Sequence, residues 1–456
     1  MNKKLNIIYI HTHDLGRYCQ PMGYDIPSPN LMKFSKQGTL FRQCHAASPS
    51  CAPSRAALLT GQYPHQNGMM GLPMQGKLGF CLNDYGKHLA GYLRDQGYQT
   101  ALAGVQHVAE EPLTPKEKVL PYDRFLNHTP SEQQEFIQEL TAPAAIDFLL
   151  EDHDRPFFLS VGFLDPHRDN RDDPGIFIES QPMHEPEDIV EQSRYCQPWP
   201  HMPDNAVTRR EMANFKLGVE LMDADVGKVL KVLDQPQFRE NTLVIFTTDH
   251  GAGVCEAKCT LTDRGTGVAT IFRGPSDPSF GDAGAFNGGK VVDAMVQHLD
   301  FYPTICDLVG GSRPEWLEGK SLVPLVKGET NRLHEAIFSE QTYHDSAEPR
   351  PLRAVRTERW KYIRSFKRDQ QRGIDRGPAQ AWWESLGYAQ MEFADEMLFD
   401  LAFDPHESGN LAGSPAHQEV LNEMRGRLQR WMESTGDPLA DGEIPLPPSL
   451  RRLATA

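Results

Sequence analysis

Four places in this chain of 456 residues carry side chains whose types and spacing suit chemistry on an anion. The first is Ser50-Cys51-Ala52-Pro53-Ser54-Arg55-Ala56-Ala57-Leu58-Leu59-Thr60-Gly61, a short helix with its start and stop written in. Pro53 suits a first helical turn, alanine and leucine carry the middle, and Gly61 can close the helix in the left-handed conformation. Cys51 is then expected among unpaired N–H groups at the positive helix end, which attracts anions and lowers a thiol's pKa. Arg55, four residues on, shares its face and can reach back to whatever Cys51 carries. The plainer alternative is a small buried cysteine beside an N-terminal proline. The other three places are His13-Asp14, His167 within Asp165-Pro166-His167-Arg168, and Asp249-His250-Gly251, each following an apolar run. Carboxylates and imidazoles of this kind ligate divalent metals. His13 reads equally well as a residue that orients Asp14.

The elements that must position these groups can be read from periodicity. Continuous apolar runs at 5–10, 156–163 and 242–248, with 98–102 beside them, suit strands buried on both faces of a parallel sheet. Helices are expected at 30–37, capped by Asn30 and stopped by Gly38, and at 85–96, 142–151 and 421–432. A further helix at 211–233 carries Met212, Phe215, Val219, Met222, Val226 and Leu230 at helical spacing. This alternation predicts an α/β fold with a large, mostly parallel sheet sandwiched by helices. Ligands in such folds gather at the carboxyl ends of the strands, so the three strand ends and Cys51 should meet on one face. The 63–72 stretch reads as a loop and 110–131 as a polar surface excursion. The 169–201 stretch is long, acidic and proline-rich, like a lid or substrate wall. From about 335 the pattern changes to short antiparallel strands at 354–357, 360–364 and 397–401. The expected organisation is therefore a catalytic domain over 1–335 and a smaller α+β subdomain over 336–456, built on a short antiparallel sheet. Trp382-Trp383 and the 169–201 residues read equally as substrate wall or plain surface.

Composition narrows the partners. The chain is 39% hydrophobic and 24% charged with a net charge of −16, which argues against a general nucleic-acid or anionic-membrane surface. An anionic substrate would need a local basic pocket against that background. No apolar run is long enough to span a membrane. The first residues lack the features of a signal peptide, which makes the cytoplasm the expected location. The eight cysteines are scattered without paired ligand spacing. The pair Cys255 and Cys259 hints only weakly at a site, and unpaired thiols are expected.

The string Cys51-x-Pro53-Ser54-Arg55 with Leu59-Thr60-Gly61 resembles the signature of the type I, formylglycine-dependent sulfatases of the alkaline phosphatase superfamily. The resemblance extends through Gly97-Tyr98-Gln99-Thr100 to His107, Asp165-Pro166-His167-Arg168, Phe246-Thr247-Thr248-Asp249-His250-Gly251 and Lys258. It closes on 399–407 with Asn410-Leu411-Ala412. Within the family, 155–168 and Gln341-Thr342-Tyr343-His344 look most like the heparan N-sulfatases. The resemblance implies an alkaline phosphatase-like fold and hydrolysis of a sulfate ester or sulfamate, on a sulfated saccharide or other anionic small molecule. It implies Cα-formylglycine at residue 51, made by a maturase, and one divalent metal at Asp14, Asp249 and residue 51, with His13 and His250 beside them. Arg55 would steady the nucleophile, His107 would take its proton, and His167 and Lys258 would hold sulfate oxygens and support the leaving group.

Three positions depart from the family pattern. His13-Asp14 stands where Asp-Asp is usual and Asp249-His250 where Asp-Asn is usual, so Ca²⁺ competes with Mn²⁺ or Zn²⁺ as the implied ion. Val105, in Gly104-Val105-Gln106-His107, replaces a family lysine, a loss on the order of 3 kcal/mol in comparable anion sites. Asp249-His250 also resembles the phosphonate monoester hydrolases, so a phosphonate monoester or phosphodiester substrate is the second reading. A non-catalytic binding protein on the same scaffold, motivated by Val105, is the third. A homo-oligomer is compatible with all of these.

Overall fold

Asn6–Thr12 (β1) runs through the centre of the molecule with all seven residues buried. In this computed structural model, residues 5–73, 78–109, 119–127, 137–168, 189–367 and 378–450 are described. Thr39–Phe41 (β2) and Cys44–His45 (β3) follow, then Gln99–Gly104 (β4), Arg124–Phe125 (β5), Phe157–Gly162 (β6) and Thr242–Thr248 (β7). Thr270–Arg273 (β8), Lys290–Val292 (β9) and Val296–Gln297 (β10) complete the first set. Eight of these strands form one sheet in the order β5-β4-β6-β1-β7-β8-β2-β9. β1 pairs in parallel with both β6 and β7, Ile8 lying opposite Leu159 and Val244. Only β8 runs against its neighbours.

The unbroken apolar runs have a simple cause, since side chains alternate between two buried faces. Ile7, Tyr9, Phe158, Leu243 and Ile245 belong to one core, which also takes Ala52, Ala56, Leu58 and Leu59 of the Cys51–Thr60 helix. Ile8, Ile10, Leu159, Val161, Val244 and Phe246 point into the other core. All six apolar residues expected of the 211–233 helix meet them there. That helix runs over Ala206–Leu233, one and a half turns earlier than the apolar spacing alone indicates. Its start is set by Asn205, whose side chain accepts from the Val207 and Thr208 N–H groups.

Ile337–Gln341 (β11), Leu352–Arg356 (β12), Trp360–Ser365 (β13) and Glu396–Asp400 (β14) form a separate antiparallel sheet in that order. The Gln418–Thr435 helix packs on it through Leu421, Met424, Leu428 and Trp431. The same core includes Ala47, Ala57 and Tyr63, so the small sheet lies against the segment that carries Cys51.

Several local expectations differ from the structure. The Pro29–Gln37 helix is capped at Ser28, while Asn30 instead fastens it to Asp223 of the long helix through its side-chain amide, 2.9 Å from a carboxylate oxygen. The 85–96 stretch is a 3₁₀ turn at Tyr85–Lys87 and a helix at Leu89–Asp95, broken because His88 is extended and caps the second piece. Pro64–Asn67 forms a helical turn inside the expected loop. Residues 110–118 and 128–131 of the polar excursion, and 169–188 of the acidic stretch, lie outside the described residues.

Candidate active site

The Cys51–Thr60 helix has its N-cap at Ser50 and ends at Gly61, which takes φ 68° and returns its N–H to the Ala57 carbonyl at 2.8 Å. All ten helical residues are buried, which is why the sequence there is alanine and leucine rather than amphipathic. Its first turn faces the carboxyl ends of β1 and β7. Ser54 Oγ donates to the Asp249 carbonyl at 2.5 Å, and Arg55 Nη2 donates to Asp249 Oδ2 and the Thr12 carbonyl, both at 3.0 Å. Arg55 Nη1 also meets the His11 ring. The guanidinium therefore ties helix, β1 and β7 together, and none of its hydrogen bonds reaches Cys51.

His13, Asp14, Cys51 and Asp249 bring one ligand atom each to within 4.8 Å of one another, all buried. His250 joins them: its Nε2 is 3.2 Å from Cys51 Sγ and 3.3 Å from Asp14 Oδ1. His250 Nδ1 lies 2.9 Å from the Gly251 carbonyl, so a neutral ring carries its proton there and turns the Nε2 lone pair inward. Burial pushes His250 down against the pull of Asp249 and Asp14, keeping it neutral. Both ring nitrogens of His13 and Asp14 Oδ1 are buried without a hydrogen bond. His13 Nδ1 is 3.0 Å from Asp249 Oδ2. Electron pairs converging in a buried space, with their own donors missing, fit a bound cation. The donor set mixes imidazole nitrogen with carboxylate oxygen.

His107 and His167 flank this cluster. Their rings stand edge-on to His13 with centroids 5.0 and 4.9 Å away. His107 follows Gly104, where a Cβ would lie 2.1 Å from the Gly162 carbonyl oxygen. Asp14 and His107 take φ of 51° and 62°, a left-handed strain on the order of 1 kcal/mol each that is typical of functional positions. Burial, then His13, Arg55 and His167, hold His107 well below the usual histidine range, leaving a neutral imidazole. Lys258 Nζ donates to Asp14 Oδ2 at 2.8 Å and lies 3.4 Å from His167 Nε2. Burial would raise Asp14, but Lys258, His167 and His250 together hold it well below the ordinary carboxylate range. Asp249 is likewise held down, against burial, by His250, His13 and Arg55.

The lowering of the Cys51 thiol's pKa expected from the helix end is reversed in the folded site. Burial, with Asp249 and Asp14 close by, pushes the thiol well above its ordinary value despite Lys258 and Arg55. Desolvation and two carboxylates outweigh the helix end, and an unmodified Cys51 is a poor nucleophile.

All nine residues singled out from the sequence come together here. A tenth side chain, that of His344, joins them. His344 Nδ1 lies 2.9 Å from Ser50 Oγ, and burial beside Lys258 pushes the ring down to about 3. It arrives from the small sheet, and no local spacing in the sequence ties residue 344 to residue 50. His11 and His298 also lie behind the helix, His298 against Thr247 and Ser54. Arg168 pins Glu211 of the long helix and the Gly253 carbonyl. Trp383 stands edge-on to Tyr388, whose hydroxyl donates to Glu256, two residues before Lys258. All eight cysteines are thiols and none is in a disulfide.

Comparison with known proteins decides the family: the model described as "Sulfatase" matches residues 5–311. The chain belongs to the sulfatase family. A second family model, "N-sulphoglucosamine sulphohydrolase, C-terminal", matches residues 283–376 of this sulfatase. Human N-sulphoglucosamine sulphohydrolase is 29% identical over 458 residues, covering 91% of this chain and 86% of the human one. An ulvan-active sulfatase of Formosa agariphila is 26% identical, covering 96% of this chain and 76% of its own. The fold is that of a solved 2-O GAG sulfatase, with TM-score 0.72 and 23% identity over 98% of this chain and 96% of that one. It is also that of a sulfatase solved with its substrate D-glucosamine-2-N,6-O-disulfate, with TM-score 0.70 and 18% identity over 95% and 99% of the two chains. Sulfuric ester hydrolysis is the activity of this family, and the sulfatase reading of Cys51-x-Pro53-Ser54-Arg55 stands.

Proposed function

We propose that this sulfatase removes sulfate, as ester or sulfamate, from a sulfated saccharide, with residue 51 as formylglycine and a divalent ion beside it. The observation that carries the reading is the convergence of His13, Asp14, Asp249 and His250 on the buried side chain of residue 51. Formylglycine there supplies a nucleophilic hydrate oxygen, and a divalent ion supplies Lewis-acid polarisation of the sulfate. His13, Asp14, Asp249 and residue 51 would hold the ion, with His250 completing the set. The nitrogen content of this set favours Mn²⁺ or Zn²⁺ over Ca²⁺.

The chain's own residues do the rest. Lys258 and His167, 3.4 Å apart, would hold sulfate oxygens, and His167 would give the leaving amine or alcohol its proton. The His167 Nδ1–H donates to the Arg168 carbonyl at 2.8 Å and turns Nε2 inward, so the proton that Nε2 would give up is that of the doubly protonated ring. His107, neutral, would accept the proton of residue 51. Val105 leaves the lysine position of the family empty of charge, and a divalent ion would supply positive charge to the site in its place. Localisation in the cytoplasm and the division at 335/336 belong to the same proposal.

His250 also favours a second reading, a phosphonate monoester or phosphodiester hydrolase. The test is kcat/KM on N-sulfoglucosamine, an aryl sulfate and an aryl phosphodiester, after chelation and reconstitution with Ca²⁺, Mn²⁺ or Zn²⁺. The proposal expects the sulfamate or sulfate to be preferred and Mn²⁺ or Zn²⁺ to restore more activity than Ca²⁺. Preference for the phosphodiester would overturn the sulfate assignment, and restoration by Ca²⁺ alone the metal assignment.

A further inference from the structure

The backbone around His344 is fixed independently of its ring. The His344 carbonyl accepts from the Leu72 N–H and the Tyr343 N–H donates to the Met70 carbonyl, both at 3.0 Å. Tyr343 is buried, its ring 5.4 Å from that of Phe80 and its hydroxyl donating to the Pro445 carbonyl at 3.0 Å. The segment that leads into residue 51 is pinned as firmly. The Ala47 carbonyl accepts from the Glu340 N–H at 2.9 Å and the Pro49 carbonyl from the Cys259 N–H at 3.0 Å. Between these two fixed backbones, His344 Nδ1 and Ser50 Oγ share a hydrogen bond of 2.9 Å.

That bond takes Ser50 away from the task its position assigns. Ser50 is the N-cap of the helix, buried and extended at φ −132° and ψ 143°. In that conformation a serine hydroxyl ordinarily accepts from the second or third helical N–H. Pro53 stands third and has no N–H, so Ala52 carries the one N–H that Ser50 could cap. The Ser50 side chain makes no such bond. Among the described residues the Cys51 and Ala52 N–H groups make no hydrogen bond, whereas the Ser54 N–H reaches the Ser50 carbonyl at 2.9 Å. Open N–H groups at the start of a helix favour an anion. The side chains around this helix end also await a ligand. His13, buried with neither ring nitrogen hydrogen-bonded, brings a ligand atom within 4.8 Å of that of Cys51.

We propose that His344 is a positioning residue of this sulfatase: by holding Ser50 Oγ it keeps the serine from capping the helix and leaves the Ala52 N–H to the anion handled at residue 51. Without His344 the hydroxyl turns to Ala52, the usual partner of a serine at this position. The site then loses one donor to the charge that develops there. The inference rests on the sulfatase function proposed above and adds a residue to it.

The test is a suppressor. Rates on N-sulfoglucosamine and on an aryl sulfate are measured per formylglycine for the wild type, His344→Ala and the Ser50→Ala/His344→Ala double variant. His344→Ala is expected to lower kcat about tenfold with KM little changed. The double variant should regain most of that loss, because alanine at position 50 cannot cap. A histidine that only supports the fold predicts no such recovery. A double variant no faster than His344→Ala, or His344→Ala at the wild-type rate, would overturn the proposal. If His344→Ala does not fold, His344→Phe, which keeps a ring without its nitrogens, takes its place in both arms. A wild type that cleaves neither substrate contradicts the sulfatase function itself, and calorimetric affinity for inorganic sulfate then decides His344. Weaker binding in His344→Ala that the double variant restores supports the proposal, and any other pattern overturns it.

Discussion

Arg55 illustrates how a signature residue works at the residue scale. Read from the sequence, it should reach back to residue 51. In the structure its hydrogen bonds go to Asp249, Thr12 and His11. It therefore sets where the metal-side carboxylate stands and compensates a buried charge. Arg55→Met should lower unfolding stability by about 3 kcal/mol, because it leaves a buried carboxylate short of its counter-charge. Arg55→Lys should recover only part, since a lysine cannot bond three acceptors in the same plane. Denaturant unfolding checks this, and a loss under about 1 kcal/mol for Arg55→Met would contradict the role. His13-Asp14, Cys51 and Asp249-His250 were legible because each sits at a strand or helix end, whereas His107 and Lys258 lie in loops and were named only through the family resemblance. His344 was not legible as a site residue, because its partner Ser50 is distant in sequence and meets it only once the small sheet folds over.

At the scale of elements, strand positions followed from the both-faces-buried pattern, and β1, β6 and β7 lie where their apolar runs begin and end within two residues. Caps were harder. Asn30 was read as a cap because of its type, but the Asp223 carboxylate on another helix competes for it, and tertiary contacts override local preference. The latch between the Pro64–Asn67 turn and the small sheet was also hidden. The His65 N–H and Nδ1 bond Glu340 of β11 at 2.7 and 2.5 Å, and Arg353 of β12 bonds Asp437 at 3.0 Å. Burial lowers His65, but Glu340 outweighs it and raises the pKa above 6.5. Because the folded value is raised, the protonated latch stabilises fully below the unfolded pKa of about 6.5 and fades as pH climbs through the folded value. His65→Gln should therefore lower the thermal midpoint most at acidic pH, with the gap to wild type closing on the alkaline side. A gap that widens with pH would contradict this sign.

For the whole molecule, charge sets the problem. A chain of net charge −16 must attract an anion, and the site meets this with Lys258 and Arg55 balancing Asp14 and Asp249, around imidazoles kept neutral by burial. A divalent ion added to that balance would make the pocket cationic within an acidic protein. The large sheet and its helices were legible as a class, because alternation of buried strands with long amphipathic helices admits few architectures. The docking of the small sheet over Ala47, Ala57 and Tyr63 was not, since those residues are too small or too mixed in character to announce a partner.

The central claim is that residue 51 acts as formylglycine, in a buried site that pushes an unmodified thiol well above its ordinary pKa. The most direct measurement is the mass of the peptide spanning 48–55 from protein co-expressed with a formylglycine-generating maturase. The account predicts a loss of about 18 Da relative to the thiol form, the difference between –CH₂SH and –CHO. A peptide that keeps the full thiol mass under those conditions, in protein that still cleaves sulfate, would contradict it.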